Sequence, residues 1–426
     1  MNCVHQLIRR SRTLYNIILL TRKLLFNISN VKFKRELRKT RKKKEAEFRH
    51  RQIKIIFELW EPSFWKCDAL YKALQNDSRF NSAIWINDSP NSTTPELKEK
   101  NRNLAINFVL TNGYKYHQGI TAQELIDKES PDYLFIVQPY DNCVPINIEK
   151  NSHILVCHIP YSYKNLEGAS AYMSRNAQLF HRYYTESESL RLYVSLYMSN
   201  SGRNVRATGL PIASQLSSKN IDTPTKNIAN NKIVIIWAPH WTIPIFSRNE
   251  YNVSTFTLIA DDFLNLITKY KESVHFIFKP HPRLKRALYE DKNWGKQKTD
   301  SYYAEWENKE NRQLAEGEYV SLFRQSSAMI HDSASFIQEY LLVDKPCMYL
   351  TRDDAMVSFN RDTKDALNCY YKGNNVGDID KFIQNVLNGI DPLCSTRKQY
   401  IKAHLISDFF SPVNNIISDL LKPATN

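Results

Sequence analysis

Glycine is scarce, at 10 of 426 residues, so this chain has little from which to build Gly-rich loops. No Cys-x-x-Cys pair occurs among its seven cysteines (Cys3, Cys67, Cys143, Cys157, Cys347, Cys369 and Cys394), which argues against a zinc site of the usual spacing. An odd, scattered set of thiols suits a reducing compartment. No apolar run approaches the roughly 20 residues that span a bilayer. A secretory signal, with its long apolar core and small-residue cleavage site, is also missing. Beyond residue 50 there is almost no net charge. The formal total is +14, and residues 1–50 alone hold 15 Lys/Arg against three Glu, leaving only +2 for everything else. A nucleic-acid binder more often spreads its basic footprint over a folded face, so no nucleic-acid partner is expected.

What is present is a folded composition, 42% hydrophobic and 12% aromatic, in a chain long enough for two cores. Residues 1–50 read as a basic amphipathic helical arm. Leu7, Ile8, Leu14, Ile17, Ile18, Leu24, Leu25 and Phe26 are interrupted by Arg9, Arg10, Arg12, Arg22 and Lys23, and a second cluster runs to Arg41-Lys42-Lys43-Lys44. An apolar face flanked by cations suits the membrane interface. Each Lys or Arg near an anionic surface adds about 1 kcal/mol of attraction. Arg22, Lys23, Arg41, Lys42, Lys43 and Lys44 are therefore the expected membrane contacts. The competing expectation is a solvated helix whose apolar stripe packs on the body.

From residue 51 onward strands and helices alternate, which implies parallel sheets covered by helices. Ile53–Leu59 is the first strand. Glu96–Thr111 is a helix ended by Asn112-Gly113. Thr121 and Glu124 have the spacing of a capping box. Residues 214–231, rich in Ser, Asn, Thr and Lys, form a linker, after which the alternation restarts with Ile233–Trp237. The fold class expected is α/β: two Rossmann-like domains in a GT-B-like arrangement, at 51–213 and 232–426, behind the basic arm.

Three turns in the second half each follow a strand at its carboxyl end, where open α/β sheets bind ligands. They are Trp237-Ala238-Pro239-His240-Trp241, Lys279-Pro280-His281-Pro282-Arg283, and Ile330-His331-Asp332-Ser333-Ala334-Ser335. In the second, Pro282 can open a helix, placing His281 near a helix start that favours anions. In the third, hydroxyls at a helix start can hold phosphate oxygens or simply cap the helix. Asp261-Asp262 and Asp353-Asp354 read as solvent-facing rather than as a metal cluster.

Taken together, the three turns resemble those of the CDP-glycerol glycerophosphotransferase family, which makes teichoic acids and related capsule polymers. The matching segments are Ala238-Pro239-His240-Trp241, Lys279-Pro280-His281-Pro282 and Asp332-Ser333-Ala334-Ser335, joined by Lys345-Pro346-Cys347-Met348-Tyr349 and Thr208-Gly209-Leu210-Pro211. The family's first domain usually offers Trp-His-Gly, with its histidine as base. Here the corresponding segment is Cys157-His158-Ile159-Pro160-Tyr161, and Ala334 stands where a serine is common.

The resemblance implies a transferase with no cofactor and no metal. Its donor is a CDP-alcohol, most simply CDP-glycerol, and its acceptor a hydroxyl of a polymer or lipid-linked chain. CMP is released at the cytoplasmic face of the membrane. It implies His158 and His281 as catalytic groups, with His240, Trp241, Lys279, Arg283, Asp332, Ser333 and Ser335 around the donor. Two alternatives stay open at this point: a nucleotide-sugar glycosyltransferase on the same fold, and a non-enzymatic membrane or nucleic-acid module.

Overall fold

The computed structural model describes residues 17, 21, 24, 26, 30–90, 92, 94–168, 170–218, 232–243, 252–307, 309–317, 319–355, 357–406 and 411–422. The chain divides into two compact units. The first comprises Met1–Tyr161, Gly168–Ile212 and Phe410–Asn426, and the second Ser162–Glu167 and Ala213–Phe409.

Unit 1 is built on a parallel sheet of strands β1 (Ile53–Leu59), β2 (Phe80–Ile86), β3 (Tyr116–His117), β4 (Tyr133–Ile136), β5 (Leu155–His158), β6 (Arg182–Thr185) and β7 (Val205–Ala207). Their order is β3-β2-β1-β4-β5-β6-β7. Helices cover the sheet, so its strands read as near-continuous apolar runs, and β1 is buried at every position except Lys54. The helix Pro95–Thr111 starts on a Thr94 cap, and Gly113 takes φ +66° just after its end, a conformation glycine adopts at no steric cost. The Thr121/Glu124 capping box forms as expected.

The basic arm departs from expectation. The helix Val31–Glu47 packs on unit 1 through Leu37. Lys44 pairs with the buried Asp132 at 2.7 Å, and Arg51 grips the same carboxylate at 2.6 Å. The Arg41 guanidinium is buried and donates to the Leu179 carbonyl. Arg41 and Lys44 are therefore committed to the fold and not presented to a membrane. Lys42 and Lys43 remain exposed, whereas Arg22 and Lys23 lie outside the described residues.

The other end of the chain also returns to unit 1, although 232–426 was expected to form one domain. The helix Pro412–Leu421 buries Ile416 and Leu420 in the unit 1 core. Its Asp419 accepts from Arg182 Nε at 2.8 Å, Arg206 Nε at 2.9 Å and Tyr184 Oη at 3.1 Å. Removing one partner of such a buried ionic set costs about 3–5 kcal/mol, because the other charges stay desolvated. Of the expected linker, residues 214–216 end the short helix Ile212–Leu216, and 219–231 lie outside the described residues.

Unit 2 carries a second parallel sheet of β8 (Ile233–Ala238), β9 (Val274–Phe278), β10 (Arg312–Leu314), β11 (Ala328–His331), β12 (Cys347–Leu350) and β13 (Tyr371–Gly373), in the order β10-β9-β8-β11-β12-β13. Its core is aromatic: Trp237 lies on Phe263 with ring centres 4.1 Å apart and also contacts Phe256, Phe278 and Trp306. The helix Phe256–Lys269 supplies Phe256 and Phe263 to this cluster. Asp261, Asp262, Asp353 and Asp354 face solvent, as expected.

Candidate active site

The strands β9, β8 and β11 are neighbours in unit 2, so the three sequence turns emerge side by side from their carboxyl ends. Strand order reverses between β8 and β11, the point where open parallel sheets leave a ligand crevice. Hydrogen bonds tie the turns into one body. The N–H of Lys279 donates to the Trp237 carbonyl at 2.8 Å, and that of His281 to the Pro239 carbonyl at 3.0 Å.

Asp332 completes the tie. It is fully buried; Oδ1 accepts the His240 N–H at 2.5 Å, while Oδ2 accepts the Thr255 N–H at 2.6 Å and its hydroxyl at 2.9 Å. Burial pushes the carboxyl up to about 6, against the pull of these donors. Asp332 thus anchors the β8 turn and the start of the helix Phe256–Lys269, and both of its oxygens are already occupied.

The two histidines share one chemical form. His240 Nδ1 accepts the Thr242 N–H at 3.3 Å and lies 2.9 Å from the Thr242 hydroxyl. His281 Nδ1 accepts the Arg283 N–H at 3.1 Å. A backbone N–H can only donate, so Nδ1 is the acceptor in each ring and Nε2 carries the proton. Burial, reinforced by neighbouring cations, keeps both rings neutral; it brings His281 down to about 3 and His240 well below the usual histidine range. The ring centres are 4.9 Å apart. Two neutral N–H donors side by side suit an anion with several oxygens.

The flanking cations differ in availability. Lys279 is buried, donates to the Gly317 carbonyl at 2.9 Å and lies 5.7 Å from the Tyr319 ring centre. Arg283 is exposed, its guanidinium carbon 5.3 Å from the Trp241 ring centre. The helix expected after Pro282 begins at Leu284. Past the end of β11, the Ser333 and Ser335 hydroxyls are 3.0 Å apart before the helix Phe336–Leu341. His331 Nδ1–H donates to the Ser333 carbonyl at 3.0 Å, and its buried Nε2 has no hydrogen-bond partner among the described residues.

His158 is brought to a comparable place in unit 1, as the last residue of β5. It is buried, and burial lowers it to about 3. Sequence reasoning missed Thr255 and Thr242, which hold the site rather than line it, and Gly317, whose carbonyl takes Lys279. It also passed over Glu58, the one carboxylate in the strand Ile-Lys-Ile-Ile-Phe-Glu-Leu, which is buried.

Against known proteins, the CDP-glycerol:poly(glycerophosphate) glycerophosphotransferase family model matches residues 164–403, more than half the chain and all three turns. No curated protein matches the sequence. Among solved structures, the wall teichoic acid polymerase TagF superposes with a TM-score of 0.58 at 12% identity, covering 94% of this chain and 96% of that one. The S. aureus MnaA–UDP complex gives 0.54 at 13% identity, over 86% and 95%. The UDP-GlcNAc 2-epimerase of Neisseria meningitidis bound to UDP-GlcNAc gives 0.52 at 16%, over 87% and 99%. At such identities the likeness is one of fold, which is α/β and GT-B-like.

Proposed function

The chain belongs to the CDP-glycerol:poly(glycerophosphate) glycerophosphotransferase family, and on that premise we propose how its residues divide the work of glycerophosphate transfer. The donor is CDP-glycerol, held by the three-turn cluster of unit 2. The observation that carries this reading is the pair of neutral Nε2–H donors, on His240 and His281, fixed at the carboxyl ends of adjacent strands. An acceptor hydroxyl attacks the phosphorus that bears glycerol. The new P–O bond forms as the bond to the bridging oxygen breaks, CMP leaves with that electron pair, and His158 takes the hydroxyl proton.

His281 and Arg283 stabilise the charge that grows on the departing phosphate, and Trp241 holds the Arg283 guanidinium in place. Ser333 and Ser335 orient the donor oxygens. Lys279 and Asp332 act one step back, by fixing the turns. Positioning and electrostatics of this kind supply most of the catalysis in phosphoryl transfer. The family match favours this reading over nucleotide-sugar transfer and over a non-enzymatic module.

The acceptor is a hydroxyl-ended polymer or lipid-linked chain at the cytoplasmic face of the membrane. Among the described residues no helix is long and apolar enough to cross a membrane. The basic charge of Arg22, Lys23, Lys42 and Lys43 supports attachment at the surface through them. The test is nucleotide release by purified protein given acceptor and, in parallel, CDP-glycerol, CDP-ribitol, UDP-sugars or GDP-sugars. CMP from CDP-glycerol alone is expected, and release of UDP or GDP would overturn the assignment.

A further inference from the structure

Strand β12 lies next to β11 in the unit 2 sheet, so its carboxyl end continues the row of strand ends that carries the three turns. The chain leaves it as Leu350-Thr351-Arg352-Asp353-Asp354. The Ala355 N–H donates to the Arg352 carbonyl at 3.2 Å, closing a turn that brings Asp354 back over Arg352. The guanidinium has two edges in different surroundings. Nη1 donates to the Ser254 carbonyl at 3.0 Å. Ser254 is fully buried, its hydroxyl donates to the His240 carbonyl at 2.7 Å, and the next residue, Thr255, is held by Asp332. Arg352 is thus fastened to the segment that fixes the His240 turn. Nε and Nη2 form the other edge, and each donates to one oxygen of Asp354 at 2.8 Å.

The Arg352 side chain is 6% exposed, whereas that of Asp354 is 65% exposed. The carboxylate that covers the fork therefore stands in water itself, and the fork opens when Asp354 turns away. A planar fork that matches a carboxylate matches two phosphate oxygens equally well. An exposed ion pair is weak, and a diphosphate brings more charge than one carboxylate. The three turns offer such a group two neutral histidines and the exposed Arg283, while Lys279 is turned to the Gly317 carbonyl. The geometry points to Arg352 as a further donor-binding residue: its Nε–Nη2 edge takes two oxygens of the donor diphosphate, and Asp354 holds that edge in the free protein and yields it when the donor arrives. The assignment to the donor rests on unit 2 being the donor side; the anion-binding fork does not.

The test is calorimetric titration of the full chain with CDP-glycerol and, separately, with inorganic pyrophosphate. Asp354→Ala should tighten both roughly two- to fivefold, the scale of the exposed pair it removes. A residue that merely braced Ser254 would not respond in this direction. Asp353→Ala removes the same charge from an exposed neighbouring position and should leave both nearly unchanged. Arg352→Lys keeps the charge without the fork and should weaken both roughly tenfold; adding Asp354→Ala to it should bring no tightening. Unchanged or weaker binding in Asp354→Ala overturns the proposal, even where Arg352→Lys fails to fold. Equal tightening in Asp353→Ala overturns it as well, since net charge would then be the cause. Pyrophosphate that responds as expected in a chain that does not bind CDP-glycerol upholds the fork and overturns the donor reading instead.

Discussion

Asp332 Oδ1 accepts the backbone N–H of His240 at 2.5 Å, joining two turns that lie 92 residues apart in the chain. With Thr255 on its other oxygen, this one carboxylate holds the start of a helix and the turn that carries His240. Asp332→Ala would leave three buried donors without an acceptor, at a cost of about 1–3 kcal/mol each where water cannot replace it. Unit 2 of that variant should unfold at clearly lower urea concentration, and donor turnover should fall with it. Thr255→Val removes only the hydroxyl donor and should cost about 1 kcal/mol. Urea unfolding followed by tryptophan fluorescence reads both, and an unchanged midpoint in Asp332→Ala would contradict the anchoring role.

His281→Ala should leave the fold intact and lower kcat/KM by roughly 10²–10³, the loss seen on removing one preorganised donor. Because burial holds the ring down at about 3, it stays neutral through ordinary assay conditions. The kcat/KM of the free enzyme should therefore show no limb near pH 6.5 that disappears in His281→Gln. Such a limb, measured from pH 5 to 8, would mean that the ring works as a cation.

Stability should carry the mark of two kinds of buried group. His331 is lowered to about 3, so the fold holds it neutral; its contribution is full above pH 6.5 and is lost as pH falls toward 3. Glu58 is raised to about 7, so its contribution is full below about pH 4.5 and is lost as pH rises through 7. Replacing His331 with Phe removes a ring whose Nε2 has no partner. The slope of stability against pH below 6 should fall by about 1.4 kcal/mol per pH unit. Glu58→Gln should gain stability relative to the wild type between pH 4.5 and 7. Urea titrations at pH 4.5, 6 and 7.5 check both signs.

The basic arm can be cut in two places with different outcomes. Removing residues 1–30 spares the packed helix Val31–Glu47, and should reduce sedimentation with anionic vesicles while sparing transfer to a soluble acceptor. Removing 1–50 also takes away Leu37, the Lys44–Asp132 pair and Glu45, whose Oε1 lies 3.1 Å from His181 Nε2, and should destabilise unit 1. Equal vesicle binding by wild type and the 1–30 deletion would remove the arm as anchor.

Local chemistry was legible in the sequence and long-range pairing was not. The strand of unit 2 expected at Ile233–Trp237 and found at Ile233–Ala238, the Thr121/Glu124 cap and the three turns at strand ends all rest on patterns a few residues long. The roles of Lys279 and Asp332 were not readable, because their partners Gly317, His240 and Thr255 lie 38 to 92 residues away. Arg41 and Lys44 looked like surface charge because nothing nearby in sequence announces Asp132 or the Leu179 carbonyl. The return of Pro412–Leu421 to unit 1 depends on Asp419 meeting Arg182, more than 200 residues earlier.

The most direct test of the central claim is the fate of a doubly labelled donor. CDP-glycerol carrying one label in glycerol and another on the phosphorus next to it is given to the purified enzyme with an acceptor. Glycerophosphate transfer predicts that both labels enter the polymer in equal amounts, with one CMP released for each unit added. Polymer carrying the glycerol label without the phosphorus label, or no labelled polymer while a nucleotide sugar is consumed, would contradict it.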